Sequence, residues 1–181
     1  MKKEIAAAIV GICFLGGIAQ AEPPKENAKP ATTSNAADVS AIAPLVAGLQ
    51  DWNTQGDVKL LDTKGPNEGV VLHLDGDKAS CSTTIKNVDP SAPKKYKISF
   101  AFRRLSPGDG WIGCVQVFFQ KPNSVMVAPI TFQKPYPPTS TEWTKVSETF
   151  QGPAEAVTGA LQMACTSGSA EVADLKVEVV P

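Results

Sequence analysis

The sequence predicts an all-β domain, a two-sheet antiparallel β-sandwich of about eight to nine strands. Short runs of alternating apolar and polar residues recur from residue 57 onward. The breaks between them, such as DGDK, DPSAPKK and TSGS, carry the Gly, Pro, Asp and Ser that form turns. The only weak helical period, ADVSAIAPLVAG, is broken by Pro44. Many short strands at this spacing are typical of a sandwich or a barrel.

Seven segments have the strand pattern: residues 69–74, 80–85, 95–104, 111–119, 143–150, 160–165 and 173–180. In the third segment, every second residue from Tyr96 to Phe102 is apolar, which indicates a strand buried on one face. In the segment TEWTKVSETF, Val146 and Phe150 have the same parity and are expected in the core. Trp143 has the opposite parity and is expected to cover the end of the strand.

The N-terminus has the pattern of a secretory signal peptide over residues 1–21. Lys2 and Lys3 precede an apolar run, and the run ends in the small residues of AQA. The run is too short to span a bilayer comfortably, which takes about 20 apolar residues. A lipoprotein signal is disfavoured because Ile12, not a small residue, precedes Cys13. We expect a secreted or periplasmic protein with no membrane span after cleavage; an uncleaved anchor is the alternative.

Residues 22–44 are rich in Pro, Ala and Asn and are expected to form a flexible spacer. Residues 45–181 then form one domain, long enough to support its own core. The whole chain has a net charge of −1, and removal of two Lys and one Glu with residues 1–21 leaves about −2. This balance excludes a nucleic-acid-binding protein, which would carry a basic surplus.

Several of these segments together resemble a known family. The motifs are YKIS in residues 96–99, TEWTKVSETF in residues 141–150 and the closing DLKVEV in residues 174–179. In this order they resemble the jelly-roll carbohydrate-binding modules of the galactose-binding-domain-like superfamily, and the match covers roughly residues 46–180.

The resemblance implies a jelly roll in which two four-stranded sheets stack. One sheet would contain segments 69–74, 95–104, 143–150 and 173–180. The other would contain segments 80–85, 160–165 and 111–119 and a strand near 125–132, with 160–165 between the first and the third. Members that bind sugars use the outer face of this second sheet or the loops at one edge.

On that outer face, alternation places Gln116, Phe118 and Gln162, with Trp111 and Tyr136 at the rim of the groove. An aromatic ring can stack on the C–H face of a sugar, and amides exchange hydrogen bonds with hydroxyls. These five residues are therefore the candidate ligand-binding residues. The alternative is that the glutamines only face solvent and that Trp111 caps the sandwich.

The strand order of the family also places three cysteines close together. Cys165 would lie beside both Cys81 and Cys114, and an exported protein can form disulfides. We expect a Cys81–Cys165 disulfide, with Cys114–Cys165 as the alternative, and one odd thiol in either case.

A metal site has little support in the sequence. Many relatives hold a structural calcium ion, and Asp174 is the candidate ligand, although it is equally a turn-side carboxylate. The single histidine, His73, lacks a paired ligand at a metal-site spacing and is expected to be an outward strand residue. No other cofactor is implied.

No catalytic motif is present, neither a G-x-S-x-G elbow, an H-E-x-x-H helix nor a phosphate loop. We therefore expect a non-catalytic domain that binds a poly- or oligosaccharide. The alternative is a structural or protein-interaction domain of the cell envelope, whose partner is an envelope protein.

Overall fold

Eight β-strands and two single-turn 3₁₀ helices make up the described part of the chain, residues 40–106, 111–137 and 141–181 of a computed structural model. The strands are β1 (Asn53–Lys64), β2 (Val70–Ile85), β3 (Lys95–Arg104), β4 (Gly113–Gln120), β5 (Phe132–Pro135), β6 (Thr144–Gln151), β7 (Thr158–Cys165) and β8 (Ser169–Val180). The 3₁₀ helices are Leu45–Ala47 and Pro122–Ser124. The signal peptide over residues 1–21 and the spacer up to residue 39 lie outside the described residues. Within the described ranges, no helix has the length and apolarity needed to cross a membrane.

All strand pairs are antiparallel, in the order β5-β4-β7-β2-β8-β3-β6, with β1 also paired to β2. The long strand β2 belongs to both layers of the sandwich. Its residues 71–75 pair with β8, and its residues 79–85 pair with β7. The first layer is therefore β6, β3, β8 and the start of β2, the second is the end of β2, β7, β4 and β5, and β1 lies beside both parts of β2. The predicted β-sandwich is confirmed, with the predicted strand 160–165 between its two neighbours.

The structure differs from the sequence prediction at four places. The segments 69–74 and 80–85, predicted as two strands separated by a DGDK turn, are parts of one continuous strand, β2. Strand β1 was not predicted, because Gly56 and a register shift interrupt its alternation. The strand expected near 125–132 lies at 132–135, since a 3₁₀ turn occupies residues 122–124. The domain begins before residue 45, because Ala41, Ile42 and Ala43 are buried.

The core lies between the two layers and is built around aromatic rings. Tyr96 and Phe150 stack with centroids 5.5 Å apart, and Phe119 lies 6.0 Å from Tyr96. Phe132 approaches Phe150 at 6.1 Å and so joins the edge strands of the two layers. Each such ring contributes about 1.5–3 kcal/mol on burial. Phe150 is thus a core residue, as predicted.

A charged cluster covers part of the outer face of the first layer. The buried carboxylate of Glu171 accepts a hydrogen bond from Arg103 Nε at 2.8 Å, and Arg103 also lies 4.6 Å from the ring of Trp143. The Nδ1 atom of His73 lies 3.5 Å from Glu171. His73 and Trp143 therefore occupy the outward positions expected for them. Arg103 compensates the negative charge of Glu171, which would be costly to bury alone.

Gly113, at the start of β4, provides a test of this packing. Its φ is 146°, and a Cβ atom there would lie 1.9 Å from the carbonyl oxygen of Ala164 on β7. We expect Gly113→Ala to lower the free energy of unfolding by at least about 2 kcal/mol more than Gly76→Ala. Gly76 is the matched control, since its φ is 83° but a Cβ would meet no atom within 4 Å. Urea unfolding of both variants measures the difference, and equal losses would contradict the proposed clash.

Candidate functional site

Five polar side chains form a straight row across the outer face of the second layer. The register places each one opposite the next on β1, β2, β7, β4 and β5. The members of this amide row are Asn53, Ser82, Gln162, Gln116 and Gln133. Because neighbouring strands lie about 4.8 Å apart, the row is roughly 19 Å long. It is an open strip of hydrogen-bonding groups that runs perpendicular to the strands.

Hydrogen bonds connect the middle of the amide row. Gln116 Nε2 donates to Gln162 Oε1 at 2.7 Å, and Gln133 Nε2 lies 3.5 Å from Gln116 Oε1. Within the described part of the chain, the side chains of Asn53 and Ser82 have no hydrogen-bond partner. The row therefore holds its glutamines in place and still offers donors and acceptors to a ligand.

An apolar strip lies beside the amide row on the same face. Phe118 is directly opposite Ala160, which is opposite Thr84. These residues are two positions along their strands from the amide row, a distance of roughly 7 Å. Phe118 is half-buried, and its cross-strand neighbour Ala160 has a small side chain. A pocket of about 350 Å³, lined in part by Asn53, Thr84 and Lys86, lies at the β1 end of both strips.

Three of the five predicted ligand-binding residues share this face, namely Gln116, Phe118 and Gln162. Trp111 lies just before β4 with 60% of its surface exposed. Tyr136 does not line the rim as predicted. It is buried in the core, with its ring centroid 5.7 Å from that of Phe102, because its backbone continues the pairing of β5 through Gly113.

Sequence reasoning missed Asn53, Ser82 and Gln133 as members of the amide row. Ser82 lies in a predicted strand, and alternation along that strand places its side chain on the outer face. Asn53 lies on the unpredicted strand β1. Gln133 lies in a four-residue strand, which is too short to show a period.

The predicted Cys81–Cys165 disulfide is not formed, because Cys81, Cys114 and Cys165 are free, buried thiols in the structure. Cys81 is opposite Met163, while Cys165 is opposite Ala79, so the two cysteines are diagonal neighbours. Diagonal side chains are about 7 Å apart, and a disulfide needs Cβ atoms about 4 Å apart. The alternative disulfide, Cys114–Cys165, is not formed either, because the two side chains face opposite sides of their layer.

The thiol of Cys114 belongs to the face with the amide row. Its Sγ atom lies 3.4 Å from Gln133 Nε2 and 3.6 Å from Gln116 Oε1. Burial raises the pKa of this thiol, and the hydrogen bond from Gln133 opposes that shift. Cys114 therefore acts as a neutral packing residue beneath the glutamines.

The calcium candidate Asp174 has a structural role in the fold. Its carboxylate accepts the backbone N–H groups of Asn67 at 2.9 Å and Gly69 at 2.8 Å, and so holds the turn between β1 and β2. No group of three or more His, Cys, Asp or Glu side chains suited to a metal ion occurs among the described residues. Calcium binding at Asp174 stays a prediction. Among the described residues, no cluster of acidic side chains around Asp174 supports it.

Solved structures with this fold include carbohydrate-binding modules. The CBM22-1–GH10 modules of Clostridium thermocellum xylanase 10B, complexed with xylohexaose, match with a TM-score of 0.57 and 15% identity, over 80% of this chain and 29% of that one. A xylan-binding domain from CBM22 matches at 0.56 and 9% identity, over 78% and 96%. The enzymatically active domain of bacteriophage CBA120 tailspike protein 4 matches at 0.56 and 12%, over 78% and 22%.

This chain therefore spans less than a third of the two longer proteins and nearly all of the isolated module. No protein-family model and no curated protein matches the sequence. At such low identities, the structural matches show that the chain has the fold of these modules.

The state of the cysteines can be measured directly. Burial raises the pKa of Cys81 to about 12, so its thiolate is scarce near neutral pH. With all three thiols buried, we expect no fast reaction with Ellman's reagent at pH 8 in the folded domain. In guanidinium without reductant, Cys81, Cys114 and Cys165 should all react. Reaction of only one of these three in denaturant would show that a disulfide had formed.

Proposed function

We propose that this protein is an exported, non-catalytic carbohydrate-binding domain that binds a neutral polysaccharide on the outer face of its second layer. The observation that carries the proposal is the amide row beside the half-buried ring of Phe118. The glutamines supply hydrogen bonds to hydroxyl groups, while Phe118 and Ala160 offer an apolar surface to the C–H face of a sugar ring.

The chemistry of the amide row favours an uncharged ligand. Its five members are amides and a hydroxyl, so the row presents neither a cation to pair with a uronic acid nor an anion to pair with an amino sugar. Xylan is the first ligand to test, because structural neighbours include a xylan-binding domain and a xylanase module complexed with xylohexaose.

A second candidate function is protein interaction in the cell envelope. Val125 is 56% exposed, Met126 is 47% exposed and Val157 is 38% exposed. The backbone pairs Met126 with Gln120, and Val157 N–H donates to the Gln120 carbonyl, so these residues lie together at one end of β4. Exposed apolar residues in one place are typical of protein-binding surfaces.

Binding to soluble xylan, laminarin and galactan by affinity gel electrophoresis and calorimetry tests the proposal. We expect one neutral glycan to bind, and Gln116→Ala and Phe118→Ala each to weaken binding about tenfold through loss of a hydrogen-bonding or stacking group. Thr149→Ala is the control, since Thr149 is exposed on the first layer, opposite Lys97.

Thermal unfolding establishes whether the variants remain folded. The proposal fails if folded Gln116→Ala and Phe118→Ala bind as well as the wild type, or if no glycan binds. A stable complex with an envelope protein that is lost in Met126→Asp would instead support the second candidate.

Export is proposed from the pattern of residues 1–21. We expect the protein recovered from the periplasm or the medium of an expressing bacterium to begin at Glu22, because the small residues of AQA suit signal peptidase. Intact mass spectrometry measures the N-terminus. A mass that retains residues 1–21 would support the uncleaved anchor instead.

A further inference from the structure

A pocket of about 940 Å³ lies on the outer side of the first layer, on the opposite sheet from the amide row. Its floor is formed by residues 145–147 of β6, 99–100 of β3, and 174–176 and 178 of β8. Its walls are residues 40, 42 and 44–46 of the N-terminal segment and the turn residues 67–70. Small-molecule sites in proteins have volumes of about 300–1,000 Å³. The pocket is therefore large enough for a small ligand.

The pocket is formed by an irregularity in β8. Between two positions paired with β3, strand β8 carries one additional residue, and Asp174 in this bulge has a φ of 56°. The carboxylate of Asp174 binds the backbone of the turn at Asn67 and Gly69, and Lys145 Nζ lies 3.2 Å from Asn67 Oδ1. Bulges and residues with positive φ are enriched at functional sites. These contacts fix the turn beside the sheet, so the pocket exists before any ligand binds.

Three polar side chains lie in one row on the floor of the pocket. The register places Ser99 opposite Ser147 on one side and opposite Lys176 on the other. Within the described part of the chain, the two hydroxyls and the ammonium group of Lys176 have no hydrogen-bond or ion-pair partner. Among the described residues, this row thus presents two hydroxyls and one ammonium group without partners, and Lys145 of the same floor contacts the neutral side-chain amide of Asn67.

The acidic residues of the pocket do not compensate this cation. Both carboxylate oxygens of Asp174 accept backbone N–H groups. Glu178 is opposite Lys97 in the register of β3 and β8, and among the described residues it forms no ion pair with Lys176. Glu68 is exposed at the turn. The centre of the floor therefore favours an anionic group, which Lys176 and the serine hydroxyls can bind together.

The upper walls of the pocket are apolar. Pro44 and Val46 contribute from the N-terminal segment, and Val70 and Leu175 contribute from β2 and β8. Val46 is 78% exposed, so its side chain is accessible to a ligand in the pocket. A ligand whose charged group reaches the floor would place its body against these side chains.

From these features we propose a second binding site, in which the pocket takes a small amphipathic carboxylate. The carboxylate accepts hydrogen bonds from Ser99, Ser147 and Lys176, and the apolar body packs against Pro44 and Val46. The floor of this site is separate from the glycan face, since it lies on the other layer and uses none of the residues of the amide row; Pro44 of its wall also lines the small pocket at the β1 end of that row.

Calorimetric titration of the purified protein with octanoate tests the proposal, with octanol and acetate as probes that lack the charge or the apolar body. We expect one saturable octanoate site, and at least about tenfold weaker binding of octanol and acetate. Lys176→Gln should weaken octanoate binding about tenfold, and Ser147→Trp, which fills the floor from an exposed position, should abolish it. Lys95→Gln is the matched control, because Lys95 is an exposed lysine of β3 outside the pocket.

Some outcomes would overturn the binding site itself, and others only the pairing of the carboxylate with Lys176. Absence of saturable octanoate binding at millimolar concentration would overturn the site, as would equal binding to the wild type and to folded Ser147→Trp. Octanol binding as tightly as octanoate, or an equal loss in Lys95→Gln and Lys176→Gln, would overturn the assignment of the carboxylate to Lys176. Because the glycan face is on the other layer, xylan binding by Ser147→Trp should stay unchanged.

Discussion

The fold depends on the long strand β2, which pairs with the central strands of both layers. Strand β2 pairs with β8 through residues 71–75 and with β7 through residues 79–85, and the chain bends between these parts at Gly76 and Lys78, both with positive φ. The N–H of Gly76 donates to the carbonyl of Gly168 at 3.0 Å, which ties the bend to the β7–β8 connection. Because β2 enters both layers, the register of β7 follows from that of β2. The positions of Gln162 and Gln116 in the amide row follow from this pairing.

The sequence predicted most strands and the face of most side chains, since alternation is a local property. The alternation around Tyr96 and Phe150 correctly placed both rings in the core. Positions that depend on a bulge or on pairing across the sheet were not predictable in this way. The additional residue at Asp174 reverses the inward parity of β8, and no composition signal marks it. Tyr136 was misplaced for a similar reason, because a short strand and two prolines around it hide its inward direction.

The two outer faces of the sandwich have different chemistry, although both arise from antiparallel strands. The face of β7 and β4 is regular, so its amides stand in one line at the strand spacing, and it is open rather than enclosed. The first layer is distorted by the bulge at Asp174 and by the turn held against it, and a partly open pocket lies at this distortion. A regular sheet suits an extended polymer, whereas a concave pocket suits a small molecule.

The hydrogen bonds within the amide row reduce the side-chain entropy that is lost when this face binds a polymer. A free glutamine side chain loses rotamer entropy when it binds a ligand, a cost of up to about 2 kcal/mol. Gln116 already donates to Gln162 and lies beside Gln133 and the thiol of Cys114. Much of its rotamer entropy is therefore lost on folding, before any ligand binds. The ligand can then bind to the remaining N–H groups of Gln162 and the carbonyl of Gln133 without breaking the central bond. A row fixed in this way at its three glutamines favours a chain whose hydroxyls repeat at the spacing of the strands, because β7, β4 and β5 each contribute one group that is already in position.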